Sequence, residues 1–224
     1  MKDIFILLFR SKRFIVGFVL FLAVLSFAII GPMLNPKNPF QMVGGLFTPP
    51  SDKFILGTDN LGRDVFTQLM YGTRTSLLIG CTAGVIATSI GVTIGSIAGY
   101  KGGIVEEILM GITNVFITIP SIVVLILLSI AIKTRSAAVM GLVIGVTSWP
   151  WTARAVRAQT ASLKTREHID IARITGFSSI EMIVLEILPY MFSYIFMAFI
   201  LQFSGGILNE ATLSMLGLGP YQTV

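Results

Sequence analysis

The chain is short of charge, cysteine and histidine. Asp, Glu, Lys and Arg make up 12% of its 224 residues, against 54% hydrophobic. That excludes an ordinary soluble domain of this length, in which about a quarter of the residues carry charge. A single cysteine, Cys81, leaves no disulfide framework, and its place in an apolar run makes it small packing material. A single histidine, His168, has no cysteine or second histidine beside it, which argues against a metal site. No Gly-x-x-x-x-Gly-Lys-Ser/Thr sequence occurs, so nothing here should cradle ATP phosphates. No nucleophile, base and orienting group can be assembled, and no enzyme activity is expected. The formal charge of +5 has no basic patch with interleaved aromatics behind it, which argues against nucleic acid. The cations stand beside apolar runs, where anionic lipid and membrane orientation account for them.

Long apolar runs are what the chain has. A helix rises about 1.5 Å per residue and the hydrocarbon core is about 30 Å thick, so a crossing needs about 20 mainly apolar residues. Five stretches qualify: roughly 14–33, 75–99, 108–132, 137–154 and 182–208. The first is too long for a secretory signal and lacks a cleavage site, so it reads as an uncleaved span. With the amino terminus inside, Lys2, Arg10, Lys12, Arg13, Lys101, Arg154, Arg157, Lys164, Arg166 and Arg173 fall on the cytoplasmic side. The remaining cations are diluted across outer segments. The expected layout is a cytoplasmic segment 1–13, a span 14–33, an external loop 34–74 with a short helix, and a transmembrane core 75–224. The fold class is all-α, a polytopic helical bundle.

Within the core, Gly80, Gly84, Gly91, Gly95 and Gly99, with Thr88 in the gap, line one face of the second span and permit close backbone approach. Ordinary helix packing explains this stripe better than a substrate groove. In the third span Pro120 should kink the helix. Asn114, Thr118 and, in the last span, Gln202 are candidates for lining a pathway, because polar groups at such depth face protein or a water-filled cavity. Asn114 serves either as cavity lining or as a helix-to-helix hydrogen-bond partner. Trp149-Pro150-Trp151, followed by Arg154 and Arg157, reads as a span end with an aromatic belt and basic anchors.

The loop 160–178 interrupts the apolar pattern. Thr165 is placed to open a short helix, with Glu167 and Asp170 in its early turns and Gly176 just past its end. Ser178 and Glu181 have capping-box spacing, with Phe177 and Met182 placed as a hydrophobic staple. One helix thus ends and another begins within about three residues, making a stiff elbow into the last span, where Pro189 adds a kink. In the outer loop, Asp59 and Asn60 should cap a helix presenting Leu61, Val65, Leu69 and Met70 on one face. Arg63 and Asp64 read as structural partners or solvated charges.

Residues 167–176, continuing to Ile187-Leu188-Pro189, resemble the cytoplasmic signature loop of permease subunits of bacterial ATP-binding cassette importers. Where that family carries Glu-Ala-Ala, then an arginine and a glycine, this chain has Asp170, Ile171 and Ala172, then Arg173 and Gly176. Leu56-Gly57-Thr58-Asp59-Asn60-Leu61-Gly62-Arg63-Asp64-Val65 and Glu210-Ala211-Thr212-Leu213-Ser214-Met215-Leu216-Gly217-Leu218-Gly219 look like the two external motifs of the dipeptide, oligopeptide and nickel type, second subunit of the pair. The resemblance implies a type I importer permease fold and a coupling helix gripping a separate ATPase through Glu167, His168, Asp170, Ala172, Arg173 and Gly176. Gly57, Thr58, Asp59, Gly62, Arg63 and Asp64 fall in its external motif. It further implies a second homologous permease subunit, two ATP-binding cassette subunits that bind ATP and Mg, an external substrate-binding protein, and a bacterial or archaeal cytoplasmic membrane. No cofactor is expected in this chain itself. The family has a further span after the second external motif, expected here beyond Val224. The competing readings are an ion-coupled secondary transporter or channel subunit, and a scaffold subunit without a pore if Asn114, Thr118 and Gln202 are all buried in helix contacts.

Overall fold

The computed structural model describes residues 11–132 and 136–220. Most of the expected segment 1–13 therefore lies outside the described residues, as do Lys133 and Arg135. The chain divides into two compact units, which meet in sequence between Leu77 and Leu78.

In the first unit, helix α1 (Lys12–Leu34) starts on Ser11, whose hydroxyl accepts the Phe14 amide at 3.4 Å. Only Ala28 and Pro32 of α1 are buried. Val19, Leu20 and Phe21 are more than half exposed, which is the surface a lipid-facing helix presents. Near its end, Gly31 lies so close to Met70 that a Cβ there would fall 2.8 Å from the sulfur, and Phe27 meets Phe66 edge to face. The short outer helix followed by a span at 75 does not form. Instead α2 (Val65–Lys101) runs unbroken for 37 residues. Its start is held by Asp64, which accepts the Phe66 amide and the Thr67 hydroxyl, while Asp59 folds the preceding turn. No proline separates 65 from 101, so nothing in the polar stretch 71–76 stops the helix.

The second unit is built around α5 (Ala137–Leu163). The expected third span is two helices, α3 (Gly103–Thr118) and α4 (Ser121–Ala131), bent by 79°. Pro120 thus breaks the helix rather than kinking it: the residue before a proline is pushed out of helical geometry, and Ile119 is extended, at φ −86° and ψ 124°. The Trp149-Pro150-Trp151 stretch is not a span end either. It lies inside α5, with Trp149 buried against Phe116 and Trp151 facing out. Cys81 is exposed, not packed inward.

After α6 (Glu167–Ile174) come a single turn, α7 (Ser179–Glu181), a π-helical segment Met182–Ile187, a further turn, α8 (Leu188–Tyr190), and α9 (Phe192–Met215). The last span thus starts ten residues later than 182. Pro189 has no amide to donate, and widening of the preceding turns is one way a membrane helix accommodates that loss. By length and composition α1, α2 and α9 can each cross a membrane, and the pair α3 and α4 makes a fourth if counted as one span. Although long enough, α5 falls below that apolarity. Twelve of its 27 residues are buried, so its surroundings are protein more than lipid.

The core of this unit has two main clusters. Ile79, Ala83, Leu125, Met140, Val143, Ile144 and Leu213 form one, and Val156, Leu163, Ile169, Ala172, Met182, Ile187 and Met191 the other. The glycine face of α2 is a contact face. Gly80 and Gly84 abut Phe203 and Ile207 or Phe199 of α9, and Gly91, Gly95 and Gly99 abut Thr152, Ala153 and Arg157 of α5.

Candidate coupling, pathway and outer-loop sites

Two cap structures in series fix the elbow around α6. Gly176, at φ +90°, takes the left-handed position past the helix; its amide donates to Arg173 at 3.2 Å and the Phe177 amide reaches back to Ala172 at 3.4 Å. This is the Schellman pairing, which satisfies carbonyls that a helix end leaves open. Two residues on, the Ser178 amide donates to Glu181 Oε2 at 2.8 Å and the Glu181 amide to Ser178 Oγ at 3.4 Å, completing the capping box. Hydrogen bonds from the Ser178 hydroxyl and amide lower the Glu181 pKa, with desolvation opposing them weakly. Thr165 does not open α6. Its hydroxyl donates back to the Ser162 carbonyl at the end of α5, and Arg166 occupies the N-cap position without a side-chain cap.

The elbow gives α6 two faces. Ile169 is fully buried and Ala172 is 7% exposed, both in one cluster with Val156, Leu163, Met182, Ile187 and Met191. Ala172, expected among the coupling contacts, therefore faces the protein's own core. Glu167, Asp170, Arg173 and Gly176 are exposed, with Arg173 paired to Asp170 at 3.1 Å. His168 is half-buried, its ring 4.4 Å from that of Tyr190. Ile171, named in the signature loop but not among the coupling contacts, and Ile174 are 64% and 86% exposed beside those polar groups. Their signal was two isoleucines on the side of a short helix opposite Ile169.

The pathway candidates separate. Asn114 is exposed on α3, where its Oδ1 accepts Arg154 Nη2 at 2.7 Å and Nε at 3.3 Å. It bonds across helices and also borders an open groove of about 690 Å³ with Glu106, Glu107, Arg154 and Arg157. Gln202 of α9 donates to Thr152 Oγ1 at 2.7 Å and the Ser148 carbonyl at 3.1 Å, beside a groove of about 390 Å³ shared with Ser121, Thr147 and Asn209. Thr118 is exposed and turns its hydroxyl onto the Val115 carbonyl. The three are not all buried in helix contacts, the condition a poreless scaffold required. The ion pair of Arg157 with Glu106 escaped sequence reasoning because its partners, 51 residues apart, share no local pattern.

The outer-loop motif is a connected scaffold. Asp59 accepts the Leu61 and Arg63 amides at 2.8 and 2.9 Å, Arg63 Nε at 2.7 Å and Gln68 Nε2 at 2.9 Å. Partial burial works against its ionisation. The hydrogen bonds from Gln68, the Arg63 and Leu61 amides and the Arg63 guanidinium outweigh it and hold the carboxyl well below the usual carboxylate range. Gly62, at φ +72°, has the Gly44 carbonyl where a Cβ would sit, and Gly57 has that of Thr48. Thr58 accepts the Thr48 amide at 2.8 Å and donates to the Gly45 carbonyl at 2.6 Å. Arg63 thus pairs with Asp59, and Asp64 serves the start of α2.

Residues 91–223 match the family described as binding-protein-dependent transport system inner membrane component. The chain belongs to that family. Residues 1–50 match the N-terminal transmembrane domain of oligopeptide transport permease C. Relatives include the dipeptide transport system permease protein DppC of Bacillus subtilis, 35% identical over 94% of this chain and 66% of the relative. A putative peptide transport system permease protein of Brucella suis is 34% identical over 95% and 71%. The oligopeptide transport system permease protein OppC of Bacillus subtilis is 33% identical over 94% and 70%. The chain thus spans about two thirds to seven tenths of these relatives' length. It is an integral inner-membrane permease with the type I ABC permease fold, of the dipeptide and oligopeptide kind.

Proposed function

We propose that this permease forms half of the translocation pathway of an ATP-driven importer of short peptides, and receives work from a separate ATPase through α6. The observation that carries the reading is the doubly capped elbow: a short helix with one face locked into the core and the other, Glu167, Asp170, Ile171, Arg173 and Ile174, offered outward. Such a helix cannot be displaced without moving α5 and the π-helical segment, because Ile169 and Ala172 share a cluster with Val156, Met182 and Ile187. A partner with different contacts in its ATP-bound and free forms would thereby bias the pathway between two states. ATP and Mg belong to two partner ATPases, and this chain supplies no step of hydrolysis. A second permease subunit contributes the other half of the path, and an external binding protein delivers the peptide. The amino terminus is cytoplasmic, on the same side as α6.

Co-purification of the assembled importer tests this. The ATPase should stay with the wild-type permease. With Asp170→Ala and Gly176→Val together it should be retained at least about tenfold less, while the permease still inserts in the membrane. Undiminished retention and peptide uptake in that variant would remove α6 from the mechanism.

A further inference from the structure

A third groove, of about 530 Å³, lies where the turn after α2 meets the end of α5 and the elbow. Tyr100, Lys101, Gly102, Ile104, Val105, Lys164, Arg173 and Ser179 line it. Three cations and no carboxylate stand in that lining. Lys101 ends α2, Lys164 follows α5 and Arg173 lies in the last turn of α6, so three separate elements bring positive charge to one place. The Lys164 amine is held over the Tyr100 ring, 5.7 Å from its centre. It also lies 3.8 Å from where a side chain on Gly102 would begin, as does one oxygen of Glu106, the carboxylate paired with Arg157. Arg173 bonds Asp170 through Nη1. Ile104 and Val105 add apolar surface to the lining, at 74% and 37% exposure.

We propose that this groove binds the phosphate headgroup of an anionic phospholipid, with Lys101, Lys164 and Arg173 around the phosphate and Ile104 and Val105 against the start of an acyl chain. A soluble phosphate ester would use the same cations, but it has no need of the exposed isoleucine. Basic residues next to a membrane span, flanked by an aromatic ring at the level of the interface, are where negatively charged headgroups are attracted. The bound lipid would tie Arg173 of α6 to the ends of α2 and α5, and so hold the elbow against the bundle.

The test uses the assembled importer, purified in detergent and offered phosphatidylglycerol or phosphatidylcholine, with retained lipid read by native mass spectrometry. Wild type should retain phosphatidylglycerol over phosphatidylcholine. Lys101→Gln should weaken that retention about fivefold, the effect of one cation near an anionic lipid surface, and Lys101→Arg should preserve it. Lys101→Gln with Lys164→Gln should lose it further. Equal retention in wild type and the double variant overturns the proposal. Displacement of the lipid by millimolar inorganic phosphate also overturns it, in favour of a soluble phosphate ligand. So does retention by the permease freed of its ATPases but not by the assembled importer, which would make the groove a contact for acidic residues of that partner.

Discussion

Asp59 concentrates more hydrogen bonds than any other side chain described above, and it sits outside the spans, where water can compete for each of them. Six groups converge on the turn it organises: the Leu61 and Arg63 amides, the Arg63 guanidinium, the Gln68 amide and, through its own carbonyl, the Phe47 and Gly62 amides. Hydrogen bonds to a charged acceptor contribute about 2 kcal/mol each. Asp59→Ala should therefore open the outer turn about thirtyfold more often, read as faster cleavage of residues 35–64 by a protease added outside. Acid should do the same to the unmodified chain. Because the folded carboxyl is depressed below its unfolded value, its contribution is complete above the ordinary pKa of about 3.9. It is lost as pH falls below that value towards the depressed one. Amide exchange over residues 57–64, corrected for its intrinsic pH dependence, that rises in wild type only below about pH 4, and is already fast at pH 6 in Asp59→Ala, is the expected result. Identical profiles would mean that the turn does not depend on this charge.

At the scale of the element, α6 sets two isoleucines two positions apart in opposite roles. Ile169 is fully buried among Leu163, Met182 and Ile187, whereas Ile171 faces out. Truncating a buried isoleucine costs about 2–5 kcal/mol through lost burial and the cavity left behind. Ile169→Ala should loosen α6, seen as faster amide exchange over Glu167–Ile174. Ile171→Ala should leave exchange unchanged and reduce only retention of the ATPase. If both variants behave alike, α6 does not have the two faces assigned to it. The elbow's caps were legible in the sequence because they are local: a glycine past the last turn and a serine three residues before a glutamate. Thr165 misled because its hydroxyl had a nearer carbonyl, that of Ser162, at the end of the helix before. The unbroken α2 was misjudged for the same kind of reason. Polar residues such as Thr73 and Thr75 return their hydroxyls to carbonyls of their own helix, so polarity alone does not end one. The Arg157 to Glu106 and Arg154 to Asn114 contacts needed the packing of α3 on α5 before they could be seen at all.

Over the whole second unit, close approach of helices does the work that apolar burial does in a soluble core, since lipid is as apolar as leucine and gives helices no hydrophobic reason to associate. The contact of α2 with α5 tests this most sharply. A Cβ at Gly95 would lie 2.5 Å from the Ala153 carbonyl oxygen and 2.8 Å from Val156 Cβ, both on a helix already buried on many sides. A methyl group cannot rotate away from backbone, so Gly95→Ala must push α5 off α2, and overpacking of this kind costs about 1–3 kcal/mol. Gly72, in the same helix, has nothing within 4 Å of its Cβ position. There alanine should stabilise, by up to about 1 kcal/mol, because glycine is the poorer helix former. Thermal unfolding of the two variants in the same detergent should therefore move in opposite directions. A Gly95→Ala protein as stable as wild type would mean that α2 and α5 need not touch backbone to backbone. The glycine stripe would then have to be explained by something other than packing.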